Sequence, residues 1–110
     1  MTFDEYQALA ERTINPHLGT QEMLKHGVFG LAAEAGEVAG LFQKEYQGHL
    51  LTDEALIKEL GDVLWMVAEI CTVKGIPMDS VAKTNIEKLK ARYPDGFTSD
   101  RSIHRREGDI

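Results

Sequence analysis

The feature that most constrains the fold is a pattern of apolar and acidic residues that occurs twice, 25 residues apart. The two copies are Leu31, Glu34, Ala35, Glu37, Val38, Leu41 and Phe42, and Leu56, Glu59, Leu60, Asp62, Val63, Met66 and Val67. At about 3.6 residues per turn, the apolar positions of each copy form one stripe, and both acids lie on the same flank of it. The pattern therefore predicts two amphipathic helices with carboxylates at matching positions.

Helical spacing also runs through the rest of the chain, and no segment alternates polar and apolar residues as a half-buried strand does. We predict helices over about 2–13, 20–46, 52–74 and 78–92, with Thr20 and Thr52 as plausible caps and with breaks at Pro16, Gly48 and Gly75. The predicted fold is all-α, a compact bundle of about four helices. Residues 1–97 form the helical domain, and 98–110 form a polar C-terminal tail.

Composition narrows the functional classes. A net charge of −6 argues against nucleic-acid binding, which depends on Lys and Arg. No apolar run approaches the roughly 18 to 20 residues that span a bilayer, and the first residues lack a signal-peptide pattern, so we expect a cytoplasmic protein without a membrane partner. The single cysteine, Cys71, lies among apolar residues and is expected in the core.

The four acids of the repeated pattern, Glu34, Glu37, Glu59 and Asp62, predict a metal site. A short loop favours antiparallel packing of the two helices, which brings the acidic flanks together, and crowded carboxylates repel unless a cation neutralises them. All-oxygen ligands favour Mg²⁺ or Mn²⁺ over zinc. The alternative is that these acids simply form the solvent-exposed face of each helix, as either pair alone usually would.

Three segments then resemble a known family. They are GLAAEAGEVA at 30–39, ELGDVLW at 59–65 and NIEKLKARYPDGF at 85–97. In this order and spacing they look like the MazG-like nucleoside triphosphate pyrophosphohydrolases of the all-α pyrophosphatase superfamily. The resemblance covers about residues 25–97.

The resemblance implies a magnesium-dependent enzyme, with Mn²⁺ as a substitute, that hydrolyses (deoxy)nucleoside triphosphates to a monophosphate and pyrophosphate, as in house-cleaning of the nucleotide pool. It also implies a homodimer or homotetramer whose site is completed by packing helices together. Glu34, Glu37, Glu59 and Asp62 are the implied metal ligands and catalytic residues, and one of them is open to a general-base role. Ala33 stands where many relatives carry a further acid, which leaves the number of metal ions open.

The fourth predicted helix carries a face suited to phosphate. Asn85, Lys88 and Arg92 lie within about 60° of one another on a helical wheel and are candidate substrate ligands. Lys44, at the end of the second helix, is a further candidate. The alternative is that these cations pair with surface acids such as Glu87.

Two rival functions remain open from the sequence. One is a non-catalytic helical oligomerisation or regulatory protein, which requires no magnesium and releases no phosphate. The other is a related helical enzyme specific for one nucleotide, such as deoxyuridine or deoxycytidine triphosphate or phosphoribosyl-ATP. The sequence does not define the base pocket: Trp65 is suited to base stacking, but its helical neighbours favour the core or a subunit interface.

Overall fold

The computed structural model describes residues 1–104 and is all-helical over that range. Its helices are α1 (Phe3–Glu11), α2 (Thr20–Tyr46), α3 (Asp53–Lys74), α4 (Met78–Arg92) and α5 (Ser99–Ile103). Apart from an isolated bridge between Pro94 and Gly96, residues 1–104 contain no β-structure. The all-α prediction is therefore confirmed. No helix in this range is long and apolar enough to cross a membrane.

The helix boundaries follow the sequence signals closely, with three differences. α1 ends at Glu11, short of residue 13, and Thr2 caps it by accepting the Glu5 N–H at 3.0 Å. The prediction of Thr20 as a cap was wrong, because Gly19 holds the cap position and no side chain caps α2. The predicted tail contains the short helix α5, which Thr98 caps. Residues 105–110 of that tail lie outside the described residues.

Helices α2 and α3 form an antiparallel hairpin that is the largest packing unit of the fold. Two glycines on α2 allow the helices to approach closely. A Cβ atom at Gly27 would lie 2.9 Å from Ile70 Cγ1, and one at Gly30 would collide with the sulfur of Met66. Gly27 faces Ile70 and Gly30 faces Met66, so residue numbers on α3 fall as those on α2 rise, as antiparallel packing requires. Thr52 begins α3 by accepting the Ala55 N–H at 3.2 Å.

Helix α1 joins the hairpin to α4 through side-chain hydrogen bonds. The Gln7 amide donates to the Ile76 carbonyl at 2.9 Å and accepts the Met78 N–H at 2.7 Å. The Asp4 carboxylate accepts the Asp79 N–H at 2.8 Å. These bonds satisfy backbone groups at the start of α4, where Pro77 offers no side-chain cap. Helix α4 is therefore held mainly by α1.

The buried core of the protomer is small. Its main cluster consists of Ala10, Ala68, Cys71 and Met78, with Leu64 and Trp65 among the partly buried side chains packed against it, and Met66 is also buried. Cys71 is only 4% exposed, which confirms its predicted place in the core. The radius of gyration is 17.0 Å, whereas a domain of this length averages about 13 Å. A single chain also leaves many large apolar side chains exposed.

The close contact between α2 and α3 leads to a stability prediction with a matched control. Gly30→Ala places a methyl group against Met66, a side chain that is 2% exposed and has little room to move. We expect a loss of about 1–3 kcal/mol in the free energy of unfolding from overpacking. Gly40→Ala on the same helix meets open space and should gain up to about 1 kcal/mol from helix propensity.

Urea unfolding followed by circular dichroism, at equal protein concentration, measures both changes. Equal stability of the two variants would show that the helices are not in close contact at Gly30.

Candidate metal centre

The hairpin brings three of the four predicted acids together. Glu34 of α2 faces Glu59 and Asp62 of α3, and one carboxylate oxygen from each residue lies within 4.8 Å of the others. Glu59 and Asp62 are one helical turn apart on α3, so both project toward the same part of α2. The predicted juxtaposition of the acidic flanks is therefore present in the structure.

Glu37 does not join this group. It lies one turn beyond Glu34 on α2, its side chain is exposed, and its carboxylate is outside the three that converge. It still acts on the group through its charge, because it is one of the acids that raise the pKa of Glu34. The structure thus separates a cluster of three carboxylates from a fourth beside it.

The electrostatics of the cluster favour a bound cation. The pKa of Glu34 is raised above its usual 4.5, first by desolvation and then by the negative charges of Asp62, Glu59 and Glu37, in that order. The neighbouring carboxylates therefore disfavour the ionised form of Glu34, and a divalent cation between the three side chains would remove that repulsion. Within residues 1–104 the group includes no His or Cys, so its donors suit a hard ion such as Mg²⁺ or Mn²⁺.

Tyr6 is a residue near the cluster that the sequence interpretation missed. Burial raises the pKa of its hydroxyl above 10.0, and the negative charge of Asp62 raises it further. Tyr6 also packs against the core, so it joins α1 to the acidic side of α3. In the sequence Tyr6 appears only as one apolar position of an amphipathic helix, and no local signal places its hydroxyl near an acid two helices further along the chain.

The predicted phosphate-binding residues lie apart from the acids in the protomer. Asn85 lines an apolar cavity of about 410 Å³ together with side chains of α1 and α3. Lys88 is exposed on α4 and Lys44 is exposed at the end of α2. The Arg92 guanidinium lies 5.9 Å from the centre of the Tyr93 ring. Among the described residues, Asn85, Lys88 and Lys44 make no hydrogen bond or ion pair with the four acids.

Comparison with known proteins identifies the family to which the chain belongs. Residues 22–97 match the model of the MazG nucleotide pyrophosphohydrolase domain, a range that contains all four acids and the candidate residues of α4. The Gene 37 protein of Mycobacterium phage L5 is 33% identical over 118 aligned positions, which cover 99% of this chain and 98% of that protein. No solved structure matches the chain. With the domain match covering most of the chain and including the acidic hairpin, this protein belongs to the MazG nucleotide pyrophosphohydrolase family.

Proposed function

We propose that this protein is a magnesium-dependent pyrophosphohydrolase that cleaves nucleoside triphosphates between the α and β phosphates and releases a nucleoside monophosphate and pyrophosphate. The observation that carries the proposal is the convergence of Glu34, Glu59 and Asp62 across the α2–α3 hairpin, within the segment that matches the family. A nucleotide substrate and the buried free thiol of Cys71 both suit the cytoplasm.

Each acid has a proposed role that follows from its position. Glu34, Glu59 and Asp62 supply the oxygen ligands for Mg²⁺, or for Mn²⁺ in its place. When bound, such an ion neutralises phosphate charge and lowers the pKa of a coordinated water. Glu37 lies beside this group and remains available to accept a proton from the attacking water. On the substrate side, Asn85, Lys88 and Arg92 are proposed to bind the triphosphate, with Lys44 as a further cation.

The proposed enzyme is a homo-oligomer, because one protomer exposes more surface than its mass accounts for. The accessible surface is 8097 Å², whereas a compact monomer of 12.3 kDa exposes about 6,100 Å². The difference exceeds the roughly 800 Å² that each partner buries in a standard interface. Large apolar side chains are exposed on both hairpin helices, including Phe29 at 69% and Ile57 at 67%. Packing of a second copy against the hairpin would cover them and bring a second set of α4 side chains within reach.

The first prediction concerns the reaction. Incubation with a panel of canonical and non-standard nucleoside triphosphates and Mg²⁺ should release pyrophosphate from at least one of them, and EDTA should stop the release. Separate assays for pyrophosphate and orthophosphate measure the products. Release of orthophosphate alone would exclude cleavage at the α–β bond. No turnover of any nucleotide would instead favour the non-catalytic oligomerisation or regulatory protein.

The second prediction concerns the acidic cluster. Glu59→Gln should abolish turnover while the metal-free protein stays as stable as the wild type or slightly more so, because one repulsive charge has been removed. Mg²⁺ should raise the melting temperature of the wild type, since a ligand of the native state stabilises it, and this gain should shrink in the variant. Calorimetry with and without Mg²⁺ measures the effect.

Glu54→Gln is the matched control, because Glu54 lies on the same helix but pairs only with Lys58, at 3.2 Å on the exposed surface. It should keep both activity and the magnesium effect. A Glu59→Gln protein that turns over nucleotide at nearly the wild-type rate would disprove the proposed role of the cluster.

The third prediction concerns assembly. Sedimentation equilibrium at micromolar concentration should show a dimer or a tetramer of the wild-type chain. Phe29→Ser should weaken that association, because it removes one of the largest exposed apolar side chains of α2, whereas Glu54→Gln should leave it unchanged. A wild-type protein that stays strictly monomeric at this concentration would refute the proposed assembly without bearing on the chemistry.

A further inference from the structure

A second cavity, lined by both apolar and polar side chains, lies on the hairpin away from the acidic cluster. Its volume is about 340 Å³, within the range of small-ligand pockets, and its walls include Thr13, Asn15, His26, Trp65 and Glu69. We call it the Glu69 cavity. The loop after α1 forms one side of it, and α2 and α3 form the other. The larger cavity beside Asn85 is almost wholly apolar and offers little to orient a polar ligand.

Glu69 is the unusual residue of this cavity. Its side chain is only 3% exposed, and its Oε2 accepts the His26 Nδ1–H at 2.7 Å. Among the described residues, its other oxygen, Oε1, accepts no hydrogen bond, and it keeps some contact with solvent, because no fully buried side-chain oxygen of the described residues lacks a partner. Because Glu69 lines the cavity, a ligand there can replace the water that this oxygen would otherwise bind. The cavity therefore holds an acceptor that suits an N–H donor of a ligand.

The other walls of the Glu69 cavity are held in fixed positions. Trp65 donates its indole N–H to Thr13 Oγ1 at 2.8 Å, and that hydroxyl donates to the Ala10 carbonyl at 2.6 Å. The His26 ring meets Trp65 edge-on, with ring centroids 6.5 Å apart. Asn15 Oδ1 accepts the His17 N–H at 3.0 Å, which leaves the amide nitrogen of Asn15 as a donor. A flat aromatic wall, a carboxylate acceptor and a nearby donor together suit the edge of a heteroaromatic ring.

The position of the cavity relates it to the metal centre. Glu69 lies seven residues after Asp62 on α3, which is about 10.5 Å along the axis and nearly the same helix face. On α2, His26 precedes Glu34 by eight residues, about 12 Å. The cavity and the acidic cluster thus lie at two positions along the same hairpin. An extended nucleotide spans this separation between its base and its outer phosphates.

We propose that the Glu69 cavity binds the nucleobase and that Glu69 recognises it by accepting an N–H of the base's pairing edge. This inference rests on the proposed function, because it supplies the base subsite for the same substrate. The ligand class is a nucleotide whose base carries an imide or amino N–H. Trp65 stacks against or borders the ring, and Asn15 donates to a ring nitrogen or carbonyl beside that N–H.

The binding test uses Trp65, the one tryptophan of the chain, as a reporter. The four common deoxynucleoside 5′-monophosphates are titrated into the wild-type protein in EDTA, with 2-deoxyribose 5-phosphate as a control that lacks the base. At least one nucleotide should change the indole fluorescence saturably, and the base-free control should not. The assay needs neither metal nor hydrolysis. Saturable binding without any pyrophosphate release would therefore refute the proposed function alone, and turnover without a base-dependent change would refute the cavity alone.

The specificity test uses the best-binding nucleotide and its derivative methylated at the N–H of the pairing edge. In the wild type, methylation should weaken binding about tenfold or more, because it removes the N–H that the Glu69 carboxylate accepts and places a methyl group against that charged group. Glu69→Gln should weaken binding of the unmodified nucleotide and reduce that ratio below about threefold, since an amide pointed at the base donates instead of accepting. Glu45→Gln, an exposed acid of the same hairpin, should leave the ratio unchanged.

Asn15→Asp provides a second arm that does not disturb the buried pair. It keeps the acceptor for the His17 N–H and removes the donor, so affinity for the nucleotide should fall severalfold while the helical circular dichroism spectrum stays the same. If Glu69→Gln does not fold, this variant and the methylated nucleotide decide the question. Equal binding of methylated and unmodified nucleotides by the wild type, or wild-type affinity in Asn15→Asp, would overturn the proposal.

Discussion

The distance between α2 and α3 is the constraint on which the rest of the structure depends. Gly27 and Gly30 carry no side chain where α3 comes closest, and Met66 and Ile70 fill the space that a Cβ would take. Because the helix axes are close together here, a side chain as short as aspartate reaches across the hairpin to a glutamate on the other helix. Larger residues at these two positions would push the helices apart and separate the carboxylates that converge on one point.

The close packing of α2 against α3 also has an electrostatic cost, because it brings negatively charged carboxylates together, and the rest of the fold must offset it. Asp62 and Glu59 act together with desolvation to raise the pKa of Glu34, so the metal-free cluster opposes the packing that forms it. Contacts outside the cluster offset this cost, among them the hydrogen bonds by which Gln7 joins α1 to the α3–α4 junction. The contacts that stabilise the fold and the residues that form the acidic site therefore come from different segments of the chain. This is common when a binding site holds groups in an unfavourable arrangement.

The sequence predicted what depends on local periodicity and missed what depends on tertiary geometry. Helical spacing and the Thr52 cap placed α3 to within one residue, and the matched phase of the two acidic pairs predicted that the flank with Glu34 faces the flank with Asp62. The separation of Glu37 from the other acids depends on how far each side chain reaches across the hairpin, which no periodic pattern encodes. Glu69 reads in the sequence as one more helical acid. Its burial becomes visible only when His26, 43 residues earlier, is placed beside it.

The contrast between Asp62 and Glu69 shows how one helix face provides two kinds of chemistry. Seven residues apart, both point from α3 toward α2, but the hairpin sets Asp62 opposite an acid and Glu69 opposite an imidazole. The first arrangement accumulates negative charge and favours a cation, whereas the second compensates one carboxylate oxygen and leaves the other as a directional acceptor. Under the proposed function, the distance between phosphate and base subsites is then set by two turns of α-helix. A helix holds such a distance more rigidly than a loop, so the register of α2 against α3 would determine both where the triphosphate is cut and which base accompanies it.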